Sequence, residues 1–116
     1  MINLLYALLG IILGVLLGLY VPITYPPSFS LYISVAILAS LDSVFGALRA
    51  GLENKFNIEI FVSGFFGNAI LAGVLAYIGD RLGVPLYYAA IFAFGGRLFQ
   101  NFAIIRRHLL GKLRSQ

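Results

Sequence analysis

Four long apolar runs constrain this chain more than any other feature of its sequence. They cover residues 2–20, 31–48, 58–79 and 86–105, and each approaches the roughly 20 apolar residues that a helix needs to cross a bilayer core. Lipid offers no partner to free backbone groups, so spanning segments must be helical. With 116 residues, of which 61% are hydrophobic and 10% charged, the chain is too small to hide this surface from water. The sequence therefore predicts an all-α integral membrane bundle of four transmembrane helices, a single domain over residues 1–116.

The short connections between the runs indicate how the helices pack and which way they face. Pro22, Pro26 and Pro27 interrupt the first connection, and the other two are RAGLENKFN and DRLGVP. Such short connections predict antiparallel neighbours. Four spans place both termini and the second connection on one side, which then holds six of the eight lysines and arginines: Arg49, Lys55, Arg106, Arg107, Lys112 and Arg114. Because only Arg81 lies on the other side, the positive-inside rule predicts cytoplasmic N and C termini.

The tail after the fourth run, residues 106–116, is basic and partly amphipathic. Its charges either hold the C-terminus inside or also attract anionic lipid headgroups, at about 1 kcal/mol per basic residue near the surface. The candidate topology and headgroup residues are Arg106, Arg107, Lys112 and Arg114. Since the net charge of +4 gathers beside apolar spans, the lipid bilayer is the predicted partner and nucleic acid is not.

Polar residues lie at matching depths in three of the runs. Asp42 and Arg97 each follow the start of a span by eleven residues (42 − 31 and 97 − 86), which is about 16 Å along a helix. A charge at the centre of a span costs about 2.5–3.5 kcal/mol, so we expect these opposite charges to face each other. Asn68 reaches a similar depth, and residues 97, 100 and 101 share one helical face. The prediction is a buried polar seam of Asp42, Asn68, Arg97, Gln100 and Asn101.

This seam has two alternative roles. It could fix one packing of the helices, since buried ion pairs select among arrangements more than they add stability. It could instead mark a transport or binding path, because ionisable groups inside a membrane often do so. The packing role is the favoured one.

Glycines predict where helices approach closely. Gly10, Gly14 and Gly18 are spaced by four in the first run, and they form a smooth strip that admits another helix. The strip could serve another span of the same chain, which is favoured, or a second copy. Gly46, one turn after Asp42, leaves room for a bulky neighbour.

No constellation of catalytic residues is recognisable in the sequence. The chain has no Cys and one His, and its serines lack a neighbouring base. The four carboxylates are scattered over different depths, and none of the common catalytic or phosphate-binding motifs occurs. We therefore expect no enzyme activity, no cofactor and no metal site.

Three segments resemble the small basic protein family of bacterial membrane proteins: LDSVFGALRAGLENKF (41–56), FVSGFFGNAILAGVLAYIGDRLGV (61–84) and AFGGRLFQNFAIIRRHLL (93–110). The likeness covers nearly the whole chain after Ser30, whereas the first run matches only in being apolar and rich in Gly. The resemblance implies short multi-pass proteins of the bacterial cell (inner) membrane, whose genes often lie near cell-division genes and genes for single-span proteins. It implies no known activity. The residues it highlights are Asp42, Gly46, Arg49, Glu53, Phe56, Asn68, Gly79, Asp80, Arg97, Gln100, Asn101 and Arg106.

Together these features predict a non-enzymatic scaffold or assembly subunit, linked to cell division or envelope biogenesis. We expect it to form a homo-oligomer, to bind single-span membrane proteins, or both, since little of the chain projects into water. The alternative is a transporter, channel or lipid-handling subunit that uses the Asp42/Arg97 seam.

Overall fold

The computed structural model describes residues 2–22, 24 and 26–115, and the side chains among them from Leu5 onward. The described residues form four α-helices and one short 3-10 helix: α1 (Ile2–Tyr20), the 3-10 turn (Pro27–Phe29), α2 (Ser30–Leu52), α3 (Ile58–Leu82) and α4 (Tyr87–Arg114). The all-α class predicted from the sequence is thus observed. Of the helices in this described part, α2, α3 and α4 are long and apolar enough to cross a membrane.

Three helices run beyond the ends of the apolar runs that predict them. α2 ends at Leu52 rather than at residue 48, α3 at Leu82 rather than 79, and α4 at Arg114 rather than 105. The tail over residues 106–114 is therefore a continuation of α4, not a separate segment. The reason is that apolar length measures only the part of a helix suited to lipid, whereas a helix continues until its sequence contains a breaker.

The connection between α2 and α3 is closed by two asparagines. Asn54 takes a left-handed conformation with φ 60°, which Asn adopts more readily than most residues. Asn57 is the N-cap of α3, and its Oδ1 accepts hydrogen bonds from the backbone N–H groups of Glu59 and Ile60 at 2.9 and 3.2 Å. These contacts fix the direction in which α3 leaves the turn.

Glycine is required twice where α3 turns into α4. Gly83 ends α3 in the left-handed region with φ 73°, as is common after the last helical residue. Gly79 is buried against the returning chain, and a Cβ there would clash with the carbonyl oxygen of Val84 and lie 2.9 Å from the backbone nitrogen of Leu86. A glycine at position 79 thus permits the tight reversal.

The core lies along α2, with α3 and α4 packed on either side of it. Its buried members are mostly small: Val35, Ala39, Ala72, Ala76, Ala90 and Phe94. Small side chains let helix backbones approach closely, as in helix pairs within membranes. Many large apolar side chains point outward instead, among them Phe92, Phe99 and Ile60, which are 77%, 73% and 71% exposed.

The first helix stands partly apart from this core. Its contacts within the described chain are with α2, and Leu13, Leu17 and Leu19 are exposed. A Cβ placed at position 10, 14 or 18 would meet no other atom within 4 Å. The structure thus shows no close helix contact at Gly10, Gly14 or Gly18 of the kind that the favoured prediction requires, although Gly10 lines a cavity shared with α2 and α3.

Candidate polar site between the second, third and fourth helices

Asp42 of α2 and Arg97 of α4 form an ion pair between the two helices. Nη2 of Arg97 donates to Oδ2 of Asp42 at 2.6 Å, and the Asp42 side chain is only 5% exposed. The contact matches the pairing predicted by counting depth along the two helices. Because residues 42 and 49 of α2 contact residues 97 and 101 of α4 in the same order, the two helices run in the same direction.

Arg97 itself is not buried, contrary to the prediction. Its side chain is 55% exposed, and its Cζ lies 5.3 Å from the centre of the Phe94 ring, within range of a cation–π contact. Gln100, also predicted to be buried, is exposed. Residues 97, 100 and 101 span about 100° of helix circumference, so one edge of that face turns away from α2. Of the five predicted members of the seam, only Asp42 is buried. Asn68 and Asn101 are half-buried, and Arg97 and Gln100 are exposed.

The remaining members of the predicted seam pair with other residues of α2. Oδ1 of Asn101 accepts a hydrogen bond from Nη1 of Arg49 at 3.1 Å, and Arg49 also forms an ion pair with Glu53, with 3.4 Å between Nε and Oε1. Asn68 of α3 donates to Oγ of Ser43 at 3.4 Å. Arg97, Asn101 and Asn68 thus all make polar contacts with residues of α2.

Gly46 lies beside this polar face, as the sequence suggested. A Cβ at its position would be 3.6 Å from Nδ2 of Asn101, which is ordinary van der Waals contact. The glycine thus leaves room for the Asn101 side chain, although an alanine would also fit.

A cavity of about 300 Å³ opens between α2, α3 and α4. It extends from the ion pair to the α2–α3 connection, and Asp42, Arg97 and Lys55 are its charged lining residues. Four uncharged polar side chains also line it, namely Ser43, Asn57, Asn68 and Asn101. Two positive charges and one negative charge leave the cavity with an excess of one positive charge (2 − 1), near the basic end of the bundle.

A second cavity of about 520 Å³ lies between α1, α2 and α3. Its lining is almost wholly apolar and includes Gly10, Val44 and Leu48. Both cavities are lined by Ala47, Phe56 and Phe61, so they adjoin along these residues. The rings of Phe56 and Phe61 lie 6.1 Å apart, and both line the junction at which the polar and apolar cavities adjoin.

The sequence pointed to the deep end of the polar cavity but not to its mouth. Ser43, Lys55, Asn57 and Phe56 were not predicted as members of a common site. Lys55 and Asn57 lie in a connection, where depth along a helix gives no information, and only the return of α3 brings them beside α2. Within the described ranges, no three His, Asp or Glu side chains are grouped so as to hold a metal ion.

Comparison with known proteins identifies the relatives of this chain. Residues 25–110 match a family described as protein of unknown function (DUF1290). The chain is 56% identical over 90 residues to a small basic protein of Bacillus subtilis (strain 168), covering 78% of this chain and 74% of that protein. It is 43% identical over 88 residues to uncharacterised proteins of Mycobacterium tuberculosis (strain H37Rv) and Mycobacterium bovis, covering 74% of this chain and 73% of each relative.

No solved structure matches the chain. The match over most of its length and the Bacillus subtilis relative agree with the resemblance drawn from the sequence. The chain belongs to the DUF1290 family.

Proposed function

We propose that this chain is a multi-pass protein of the bacterial cell membrane, with both termini in the cytoplasm. Three helices of sufficient length and apolarity support the location, as does the apolar surface that α3 and α4 present outward. The distribution of lysines and arginines supports the orientation. Fractionation of cells and labelling of cysteines introduced at Asn54 and at Tyr25 test both, since the wild-type chain has no Cys.

Within the membrane, we propose that the chain is a non-enzymatic scaffold or assembly subunit. The observation that supports this is the open glycine strip of α1, where an added Cβ would have no atom of another helix within 4 Å. Leucines of the same helix are exposed. A strip of small residues lets a second helix approach closely, and such contacts drive helix association in lipid. The strip would receive a second copy of the chain or a single-span protein. The family resemblance adds a proposed link to cell division or envelope biogenesis.

Crosslinking at α1 is the direct experiment. We expect Gly14→Cys to form a crosslinked species in cells, whereas Phe99→Cys, an exposed position on α4, serves as the matched control. We also expect Gly14→Ile to abolish association measured in mild detergent, because a branched side chain fills the strip. If the wild type runs only as a monomer and Gly14→Cys captures no more than Phe99→Cys, the scaffold role is refuted.

The polar cavity supports a second candidate function, namely transport or lipid handling through the Asp42/Arg97 site. A half-exposed arginine beside a buried aspartate gives a solute or headgroup a polar path into the bundle. Flux through reconstituted vesicles that disappears in Asp42→Asn would favour transport. Flux that is absent from the wild type, with association through α1 intact, would favour the scaffold.

A further inference from the structure

The polar cavity and the apolar cavity adjoin, and together they match the polar and apolar halves of an amphipathic ligand. We propose that they form one binding site for an anionic phospholipid, with the phosphate in the polar cavity and an acyl chain in the apolar one. The inference does not require assembly through α1, and of the three glycines in the strip only Gly10 lines the apolar cavity. The inference does rest on the proposed membrane location, which fractionation tests independently.

The polar half is suited to a phosphate group by its charge and its donors. Lys55 lies at the mouth of the cavity, where it is exposed, and a lysine ammonium binds phosphate as a point charge. Asn57 adds the NH2 group of its amide to the lining at the same end, since only its Oδ1 is used in capping α3. The deep end is less suited, because Arg97 already donates to Asp42 there. The phosphate is therefore assigned to the end of the cavity near Lys55.

The apolar cavity favours a lipid over a free phosphate compound as the ligand. It is larger than the polar cavity, at about 520 Å³ against about 300 Å³, and both volumes fall near the range of about 300–1,000 Å³ found for ligand sites. Its lining by Gly10, Gly51 and Leu48 offers no charge. A soluble phosphate compound would leave this space unused, whereas an acyl chain would fill it.

The position of the site also agrees with a lipid from the leaflet on the basic side of the bundle. The mouth is formed by the α2–α3 connection, on the side that holds most of the lysines and arginines. Anionic lipids are drawn to such clusters of basic residues. A headgroup at this mouth would lie at the depth of the connection, and its acyl chain would enter the bundle between α1 and α2.

Native mass spectrometry of the full chain in mild detergent tests the proposal with defined probes. Phosphatidylglycerol is compared with phosphatidylcholine of the same acyl chains, and with soluble glycerol phosphate. We expect phosphatidylglycerol to bind most tightly. Lys55→Gln should weaken it about fivefold, the effect of one basic residue, while Arg81→Gln should not change it. Arg81 is an exposed arginine near the end of α3, outside both cavities, so its substitution removes the same charge without altering the site.

A second pair of variants tests the apolar half. Gly51→Leu adds a side chain inside the apolar cavity, where a Cβ meets no atom within 4 Å. Gly73→Leu adds one at an equally open position of α3 outside both cavities. We expect only Gly51→Leu to lower the affinity for phosphatidylglycerol, by tenfold or more (about 1.4 kcal/mol at least), with the thermal unfolding midpoints of both variants checked to exclude misfolding.

Several results would overturn the proposal. Equal binding of the two lipids, or equal effects of Lys55→Gln and Arg81→Gln, would show attraction by net charge alone. Glycerol phosphate binding as tightly as the lipid would assign the polar cavity to a free phosphate compound. Loss of binding in Gly73→Leu as well as in Gly51→Leu would place the acyl chain on the outer surface.

Discussion

Breaking the ion pair between Asp42 and Arg97 should cost more stability when Arg97 is replaced than when Asp42 is replaced. Arg97→Met would leave a carboxylate that is 5% exposed, now without its 2.6 Å partner. Breaking a buried pair costs about 3–5 kcal/mol, and breaking an exposed one about 0–1 kcal/mol. Because Arg97 is 55% exposed, we expect an intermediate loss of about 2–3 kcal/mol in the free energy of unfolding.

Removing the other partner should cost less. Asp42→Asn keeps an acceptor oxygen in place and leaves a guanidinium that can turn into the polar cavity, so we expect a loss of about 1 kcal/mol. The double variant contains no unpaired charge, and it should be about as stable as Asp42→Asn alone. The sum of the two single effects then exceeds the double effect by about 2–3 kcal/mol, which is the coupling energy of the pair.

Unfolding in mild detergent by addition of sodium dodecyl sulfate, followed by circular dichroism, measures these free energies. The matched control is Arg106→Met, which removes an exposed arginine from the same helix and should change stability by less than about 0.5 kcal/mol. If Arg97→Met costs no more than this control, the carboxylate is not held by Arg97. If the effects of the two single variants simply add in the double variant, the contact contributes no coupling and the reasoning fails.

Three further substitutions test how the helices are joined. Gly79→Ala should lower the free energy of unfolding by about 1–3 kcal/mol, because its Cβ would lie 2.9 Å from the backbone nitrogen of Leu86, and Gly73→Ala, with no atom within 4 Å, is the control in the same assay. Asn57→Ala removes the N-cap bonds of α3 and should lower the free energy of unfolding by about 1 kcal/mol. Asn57→Asp should keep the wild-type stability, because Asp is an equally good N-cap. Gly46→Ala should change the unfolding midpoint little, and a marked loss would show that the helices are closer there than the 3.6 Å contact indicates.

The fold was predictable from the sequence to the extent that it depends on apolar length and depth. The apolar runs located all four helices, and equal depth in α2 and α4 gave the contact between Asp42 and Arg97. What depth does not give is the direction in which a side chain points around the helix. Asn101 turns toward Arg49, whereas Gln100 is exposed, although both lie within one turn of Arg97.

The sequence alone does not show which face of a helix packs inward, because that face depends on which other helix lies beside it. In water, the exposed face of a helix is polar, so composition marks the buried side. Here the outward side chains of α4 include Phe92 and Phe99, as apolar as the core residue Phe94, and the pattern no longer separates outside from inside. Polar residues then become the better guide, since a charge in an apolar helix must find a partner, water or a ligand.

The same reasoning explains why the sequence did not determine what packs on the glycine strip of α1. Its apolar residues surround the helix, and its glycine strip is equally suited to a neighbour within the chain or outside it. No charged residue of α1 fixes its direction, whereas Asp42 and Arg97 do so for α2 and α4. A helix without such a residue is positioned by whatever packs against it, and here its own chain leaves the strip uncovered. The open glycine strip of α1 is the surface that the proposed assembly through this helix would use.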